Sequence, residues 1–204
     1  MKKIISLIFI IGVMMIIFPI FLNLRAKHIE NNLIDDYRKK IEYKSESNSN
    51  KKEINITNNN YKNINKLESN ELNTKEKDVN IIGILKIPAI GLEAPIRLGE
   101  ENLNYVIAKY RDCPSFGEAG NVILAGHNNM KGSVFKNLHK LEKNDSIFVE
   151  ADNKIYEYKI YEKLIVEPND SKVLKQDLKS KEVTLITCTN HAKQRLIIKG
   201  ELEN

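Results

Sequence analysis

Tryptophan is absent from this chain of 204 residues, and only two cysteines occur, neither in a CxxC pair. A scaffold built on disulfides is thereby excluded, as is a structural zinc site of the common cysteine spacing. An excess of one charge is also missing where it would matter. The formal net charge is +5, but residues 81–204 hold 18 Lys and Arg against 17 Asp and Glu, while residues 1–80 hold 14 against 10. The part with the composition of a folded domain is nearly neutral, so no basic face for nucleic acid is indicated. Glycine and proline are missing altogether between Asn23 and Asn80, whereas eight of nine glycines and four of five prolines lie beyond residue 80. Turns need those residues for a positive or preset φ. A turn-rich compact domain is therefore confined to residues 81–204.

The chain does contain one long apolar run. Met1-Lys2-Lys3 precedes IISLIFIIGVMMIIFPIFL, residues 4–22, of which sixteen of nineteen are apolar. At 1.5 Å per residue the run spans about 28 Å, close to the thickness of a hydrocarbon core. A cleaved signal peptide would have a shorter apolar region and a small-residue cleavage site. Here the run leads into Asn23-Leu24-Arg25-Ala26-Lys27 instead. Residues 1–25 are therefore read as a cytoplasmic tip and an uncleaved transmembrane anchor. Lys2 and Lys3 oppose Arg25 and Lys27 across the span, and the early positive charge favours an internal N-terminus with the remainder outside.

Residues 26–80 read as a stalk and linker. Ile29, Leu33, Tyr37 and Ile41 recur four apart, the spacing of an amphipathic helix over 26–43, expected to be solvated. Ten asparagines fall between Asn48 and Asn73 among lysine, serine and glutamate. Such a segment buries too little apolar surface to offset its ordering entropy, so a flexible spacer holding the domain away from the bilayer is expected.

From residue 81 the period changes to two. Strand-like runs are IIGILKIPAIG (81–91), APIRLG (94–99), NVILAG (121–126), SIFVE (146–150), KIYEYKIYEKLIVEP (154–168), VTLITC (183–188) and RLIIKGEL (195–202). Ala151-Asp152-Asn153 is a turn between the fourth and fifth. Short helical turns fit Ser133–Leu141 and Asp170–Leu178. Seven or eight short strands with brief helices predict a mainly β fold, a closed or nearly closed barrel that removes exposed edges.

Chemistry is sparse in this sequence, so each candidate stands out. Cys188 ends an apolar strand and is followed by Thr189-Asn190-His191, a strand mouth that solvent and substrate can reach. A cysteine alone is more often a small core residue. Arg195 opens the next strand, and pairing of the two strands would let its guanidinium share a cavity with Cys188 and hold a carbonyl or developing oxyanion. Taken alone, Arg195 reads as an exposed strand end. His127 follows the 121–125 strand in AGHNN and is either a loop histidine bonded to backbone or a base brought to the thiol from elsewhere in the chain. His191 is a rival partner constrained by its closeness to Cys188; His28 and His139 have weaker claims. Cys113, in YRDCPSFGEAGN, is read as a free structural thiol in preference to a disulfide with Cys188.

Together, GILKIPAIGLEAPI (83–96), GNVILAGHN (120–128), the Phe135/Leu138/Leu141 segment running into NDSIFV (144–149), YEYKI (156–160), VEPNDSKVL (166–174), TLITC (184–188) and RLIIKG (195–200) resemble a sortase. Sortases are membrane-anchored cysteine transpeptidases of Gram-positive bacteria. The resemblance covers residues 81–204 and implies a closed eight-stranded barrel as the catalytic domain. It also implies Cys188 as nucleophile, His127 as general acid and base, and Arg195 as stabiliser of substrate and oxyanion. The implied partners are surface proteins bearing a C-terminal LPxTG-like sorting signal, a cell-wall precursor amine as acceptor, and the lipid bilayer through the anchor. No cofactor and no metal are expected. The second glycine-histidine segment of many relatives is replaced here by VIAKYRDCPSFGEAGN, and no aromatic DP-type lid motif precedes the domain. Wall anchoring by a class D-like sortase is thus expected over pilin polymerisation. Two other readings are an L,D-transpeptidase, whose SHGCxR-type motif does not match the sequence around Cys188, and a non-catalytic binding module on the same barrel.

Overall fold

The computed structural model describes residues 2–50, 80–101, 103–129 and 132–203. One continuous helix, α1 (Lys2–Asn50), carries the apolar run through Pro19 and into the amphipathic stretch without a break. Its large apolar side chains from Ile11 to Leu24 are exposed, the pattern of a helix whose partner is lipid. Within it, Ile11–Tyr43 contains a window long and apolar enough to cross a membrane.

Eight strands follow: β1 (Ile81–Ile87), β2 (Leu92–Leu98), β3 (Ile107–Lys109), β4 (Gly120–Ala125), β5 (Ser146–Ala151), β6 (Lys154–Val166), β7 (Lys181–Thr189) and β8 (Gln194–Leu202). They close into a barrel in the order β1-β2-β3-β4-β7-β8-β6-β5. The expected closed barrel is borne out. β2–β3 and β4–β7 pair in parallel, and all other neighbours are antiparallel. Alternation explains much of the core: Leu85, Ile87, Ala94, Ile96, Val122, Leu124, Val183, Leu185, Leu196 and Ile198 all belong to one buried cluster, with polar Lys86, Glu93 and Lys199 among the intervening positions.

Three features differ from the sequence reading. β3 is an added strand of three residues, too short for its alternation to register. The predicted helical turns contract to 3₁₀ turns at Leu138–Lys140 and Ser171–Leu174. In β6 the register slips by one between Ile160 and Glu162, a bulge at Tyr161. Tyr158 and Ile160 therefore face the core, whereas Glu162, Leu164 and Val166 face outward beside Lys199, Ile197 and Arg195. The hairpin at Asp152 and Asn153 is as expected, with φ of 50° and 59° as a two-residue turn of matching twist requires.

The stalk is not a solvated helix. Residues 26, 29, 30, 33, 34, 37 and 41 form a half-buried stripe, with Ile34 only 3% exposed. That stripe lies on β1 and β2. Tyr37 donates its hydroxyl to Ile82 O at 3.3 Å, and Arg38 pairs with Glu93 at 2.6 Å and Glu150 at 3.6 Å. Lys86 pairs with both of those carboxylates, making a four-charge cluster where helix meets barrel. The four-residue spacing was the correct signal for an apolar face; its partner is the barrel wall. Residues 51–79, most of the expected spacer, lie outside the described residues.

Candidate active site

Three neighbouring strands position the residues singled out by sequence. β7 and β8 pair antiparallel with Cys188 directly opposite Arg195. β4 and β7 pair in parallel from Gly120↔Lys181 to Ala125↔Ile186, and the ladder continues one step further through Gly126 N–H to Ile186 O at 3.1 Å. That register sets His127 beside Cys188. The backbone positions of His127, Cys188 and Arg195 thus form one row across the ends of β4, β7 and β8, although 61 residues separate the first two. The row is on the outer face of the barrel, because Val183 and Leu185 take the inner one. All three side chains are half-buried, and Cys188 is a free thiol.

Local chemistry explains why this end of the sheet holds its shape. Thr187 donates its hydroxyl to Gly126 O at 2.7 Å, and the Asn128 side-chain amide donates to Cys188 O, cross-tying the chain on either side of His127 to β7. Phe135 N–H donates to His127 O at 2.9 Å. Gly126 is required by close approach: a Cβ there would lie 2.8 Å from Phe135 and Val134. The β7–β8 connection runs through Asn190, His191 and Ala192, all with positive φ (48°, 53° and 68°). Three successive non-glycine residues in the left-handed region store strain of about 1–2 kcal/mol each. Arg195 braces that turn, donating through one Nη to Ala192 O at 3.0 Å and Gln194 O at 3.1 Å.

A second tie holds the β6–β7 connection over the outer face. Asn121 is fully buried and donates its amide to Val173 O at 3.2 Å, while Thr184 donates to its Oδ1 at 2.7 Å. Gln176 closes the edge of β4 as a strand would: its Oε1 accepts from Asn121 N at 2.7 Å and its Nε2 donates to Asn121 O at 3.0 Å. Tyr110 also faces outward from the end of β3. Its phenol is pushed above the ordinary range by burial and by the charge of Glu100, with the charge of Arg195 pulling the other way.

Of the other candidates, His191 sits exposed in the left-handed turn, His139 lies exposed against Lys136 O, and His28 is on α1 beside Asn32. Cys113 is buried away from Cys188, donating to Tyr110 O at 3.0 Å and accepting from Ile123 N at 3.4 Å. Sequence reasoning missed Asn128, Asn121, Gln176 and Tyr110. Only Asn128 had a signal, its place directly after His127 in AGHNN. No group of three or more His, Cys, Asp or Glu side chains able to hold a metal occurs among the described residues.

A closed mixed barrel with a half-buried cysteine at the end of the strand that pairs in parallel with β4 is the architecture of the sortase class. Residues 85–203 match the sortase domain, and the chain belongs to the sortase family. It is 33% identical over 127 residues to "Sortase A" of Bacillus anthracis, covering 60% of each chain. It is 30% identical over 126 residues to "Sortase D" of Bacillus subtilis (strain 168), covering 58% of this chain and 62% of the other. The chain thus spans about 60% of the length of these curated relatives. Among solved structures, a Sortase D5 transpeptidase of Clostridium perfringens superposes with a TM-score of 0.58 at 35% identity, over 61% of this chain and 79% of that one.

Proposed function

We propose that this protein is a membrane-anchored cysteine transpeptidase that joins surface proteins to the cell wall. In this reading Cys188 attacks the Thr–Gly carbonyl of an LPxTG-like sorting signal as a thiolate. Arg195 stabilises the oxyanion, and His127 protonates the leaving glycine amine, releasing the C-terminal fragment and leaving a thioester on Cys188. An amine of a cell-wall precursor then attacks the thioester, giving up its proton to His127 as the Cys188 thiolate leaves, which restores the starting pair. The reading is supported above all by the shared row of His127, Cys188 and Arg195 within a chain of the sortase family. The half-buried setting favours an amine over water at the thioester, since closure limits hydrolysis.

The apolar start of α1 is consistent with a membrane anchor. We place the N-terminus inside, residues 1–25 as tip and span, 26–80 as helical stalk and linker, and the catalytic domain of residues 81–204 outside. Similarity to both Sortase A and Sortase D relatives accords with a class D-like wall-anchoring enzyme.

The test is incubation of the protein with LPxTG-related peptides and an amine, followed by mass spectrometry. Transpeptidation product from the wild type and none from Cys188→Ala is expected. Full turnover by Cys188→Ala would sink the mechanism, and an absence of product with an unreactive Cys188 thiol would favour a non-catalytic binding module.

A further inference from the structure

We infer that a cleft between α1 and the barrel binds the headgroup of an anionic phospholipid from the bilayer that α1 crosses. This rests on α1 being a membrane span, as proposed above, and is independent of the catalytic assignment. The cleft encloses about 900 Å³ between the helix at Leu22–Glu30 and the barrel at Ile90–Leu92 and residues 132–137.

Height along α1 locates it. Moving away from the apolar run, the helix meets the cleft at residues 22–30, then Ile82, Glu93 and Glu150 at Tyr37 and Arg38, then Ala151–Ile155 at Ile41. From Arg25 to Ile41 is about 24 Å. The apolar run ends at the lower lip of the cleft, so the cleft begins where hydrocarbon ends. Its helical wall covers about 12 Å, against a headgroup layer of about 5–8 Å.

Its chemistry suits an anion carrying an apolar tail. Leu22 and Leu24 continue the lipid-facing surface of α1 into the cleft, where Ile90 and Val134 meet them. Arg25, Lys27 and Lys136 also line it. Lys27 bonds Glu30 at 3.2 Å, whereas neither Arg25 nor Lys136 makes an ion pair among the described residues. Glu30 is the one carboxylate in the cleft, 8% exposed, and burial raises its pKa against the pull of Lys27 and Lys136. Three cations thus face a single buried acid. Arg25 and Lys27 follow the apolar run directly and Lys136 joins them from the nearly neutral domain, which gathers positive charge at the end held at the bilayer.

Strand direction adds a consequence. β1 descends α1 from Ile82 toward the turn at Ile90, and β4 and β7 run the same way as β1. His127 and Cys188 come at the lower ends of β4 and β7, so a lipid seated in the cleft would hold the reactive row at the membrane surface.

The experiment uses the full chain in nanodiscs of phosphatidylcholine alone or with 30 mol% phosphatidylglycerol (about one lipid in three), read by amide hydrogen exchange. The anionic lipid is expected to slow exchange at residues 89–92 and 132–138 at least fivefold. Lys27→Gln and Lys136→Gln should each remove about fivefold of that protection, and Lys154→Gln, at the far end of the barrel, none. Lys136 and Lys154 are exposed positions where substitution leaves folding nearly unchanged, whereas Lys27→Gln also removes the partner of Glu30 and is read only beside Lys136→Gln. Equal exchange in both lipids, or equal loss in Lys154→Gln, overturns the inference while leaving the span intact. A chain that enters discs of neither composition overturns the span and the inference with it.

Discussion

Arg195 faces Cys188 across the β7–β8 ladder as its direct partner, yet its guanidinium is turned back onto Ala192 O and Gln194 O. In this structure the side chain braces a strained turn, and the proposed oxyanion role requires it to swing toward the thiol when substrate binds. Arg195→Ala should lower kcat/KM for a sorting-signal peptide by 10²–10³-fold, about the value of one oxyanion donor. Arg195→Lys should recover little, because an ammonium cannot reproduce the planar fork. Steady-state kinetics on both variants is the check, with alkylation of Cys188 as a control for an intact site.

The tie between Asn121 and the 171–176 segment makes a separate prediction. Asn121→Ala removes the partner of Thr184 and of two carbonyls in a fully buried place, a loss of about 1–3 kcal/mol. Amide exchange in residues 171–176 should accelerate more than in β7. A uniform change through the barrel would show that the tie is not local.

Docking of α1 should depend on acid. Burial disfavours the Glu93 carboxylate, but the hydrogen bond and charge of Arg38, with Lys86 and Lys27, outweigh it and hold its pKa below the ordinary value of 4.5. A depressed folded-state pKa contributes stability above the unfolded value that is lost as pH falls through the folded one. The helix–barrel contact should therefore loosen below about pH 4.5. Glu93 is 40% exposed, so the effect is a small one that salt weakens. Amide exchange in β1 and β2, corrected for the intrinsic pH dependence of exchange, measures it across an acid titration; Glu93→Gln should flatten the curve.

Alkali should act through Tyr158. The residue is 1% exposed, and its hydroxyl accepts from Gly117 N at 3.2 Å; burial raises its pKa from 10.0 to about 12 despite that bond. A phenol harder to ionise when folded supports the fold fully below pH 10, and that support is lost as pH rises toward 12. The loss is on the order of 2 kcal/mol. Tyr158→Phe should cost about 1 kcal/mol at neutral pH by leaving the Gly117 N–H unpaired. It should also show a shallower alkaline fall in denaturant midpoint between pH 9 and 12 than the wild type.

Much of this protein is legible along the chain because the signals are local. Alternation in VTLITC and RLIIKGEL marks two strands without reference to any neighbour, and Asp152-Asn153 marks their kind of turn elsewhere. The apolar run of residues 4–22 states its own solvent preference. β3 escaped because three residues hold too little of the period, and the bulge at Tyr161 escaped because an inserted residue reverses facing without altering composition. The α1 stripe was visible as a stripe, but no helix sequence names what covers it.

What the sequence determined by itself is the set of reactive groups and the elements that carry them: a thiol at a strand end, an imidazole after another, a guanidinium opening a third. What only tertiary structure decided is their meeting. Register between β4 and β7, a matter of which backbone groups share hydrogen bonds across 61 intervening residues, sets His127 beside Cys188, and a slip of one residue would send one of them to the opposite face of the sheet. The same holds for α1, whose buried stripe acquires its partner from barrel closure, a long-range event that local preference does not encode.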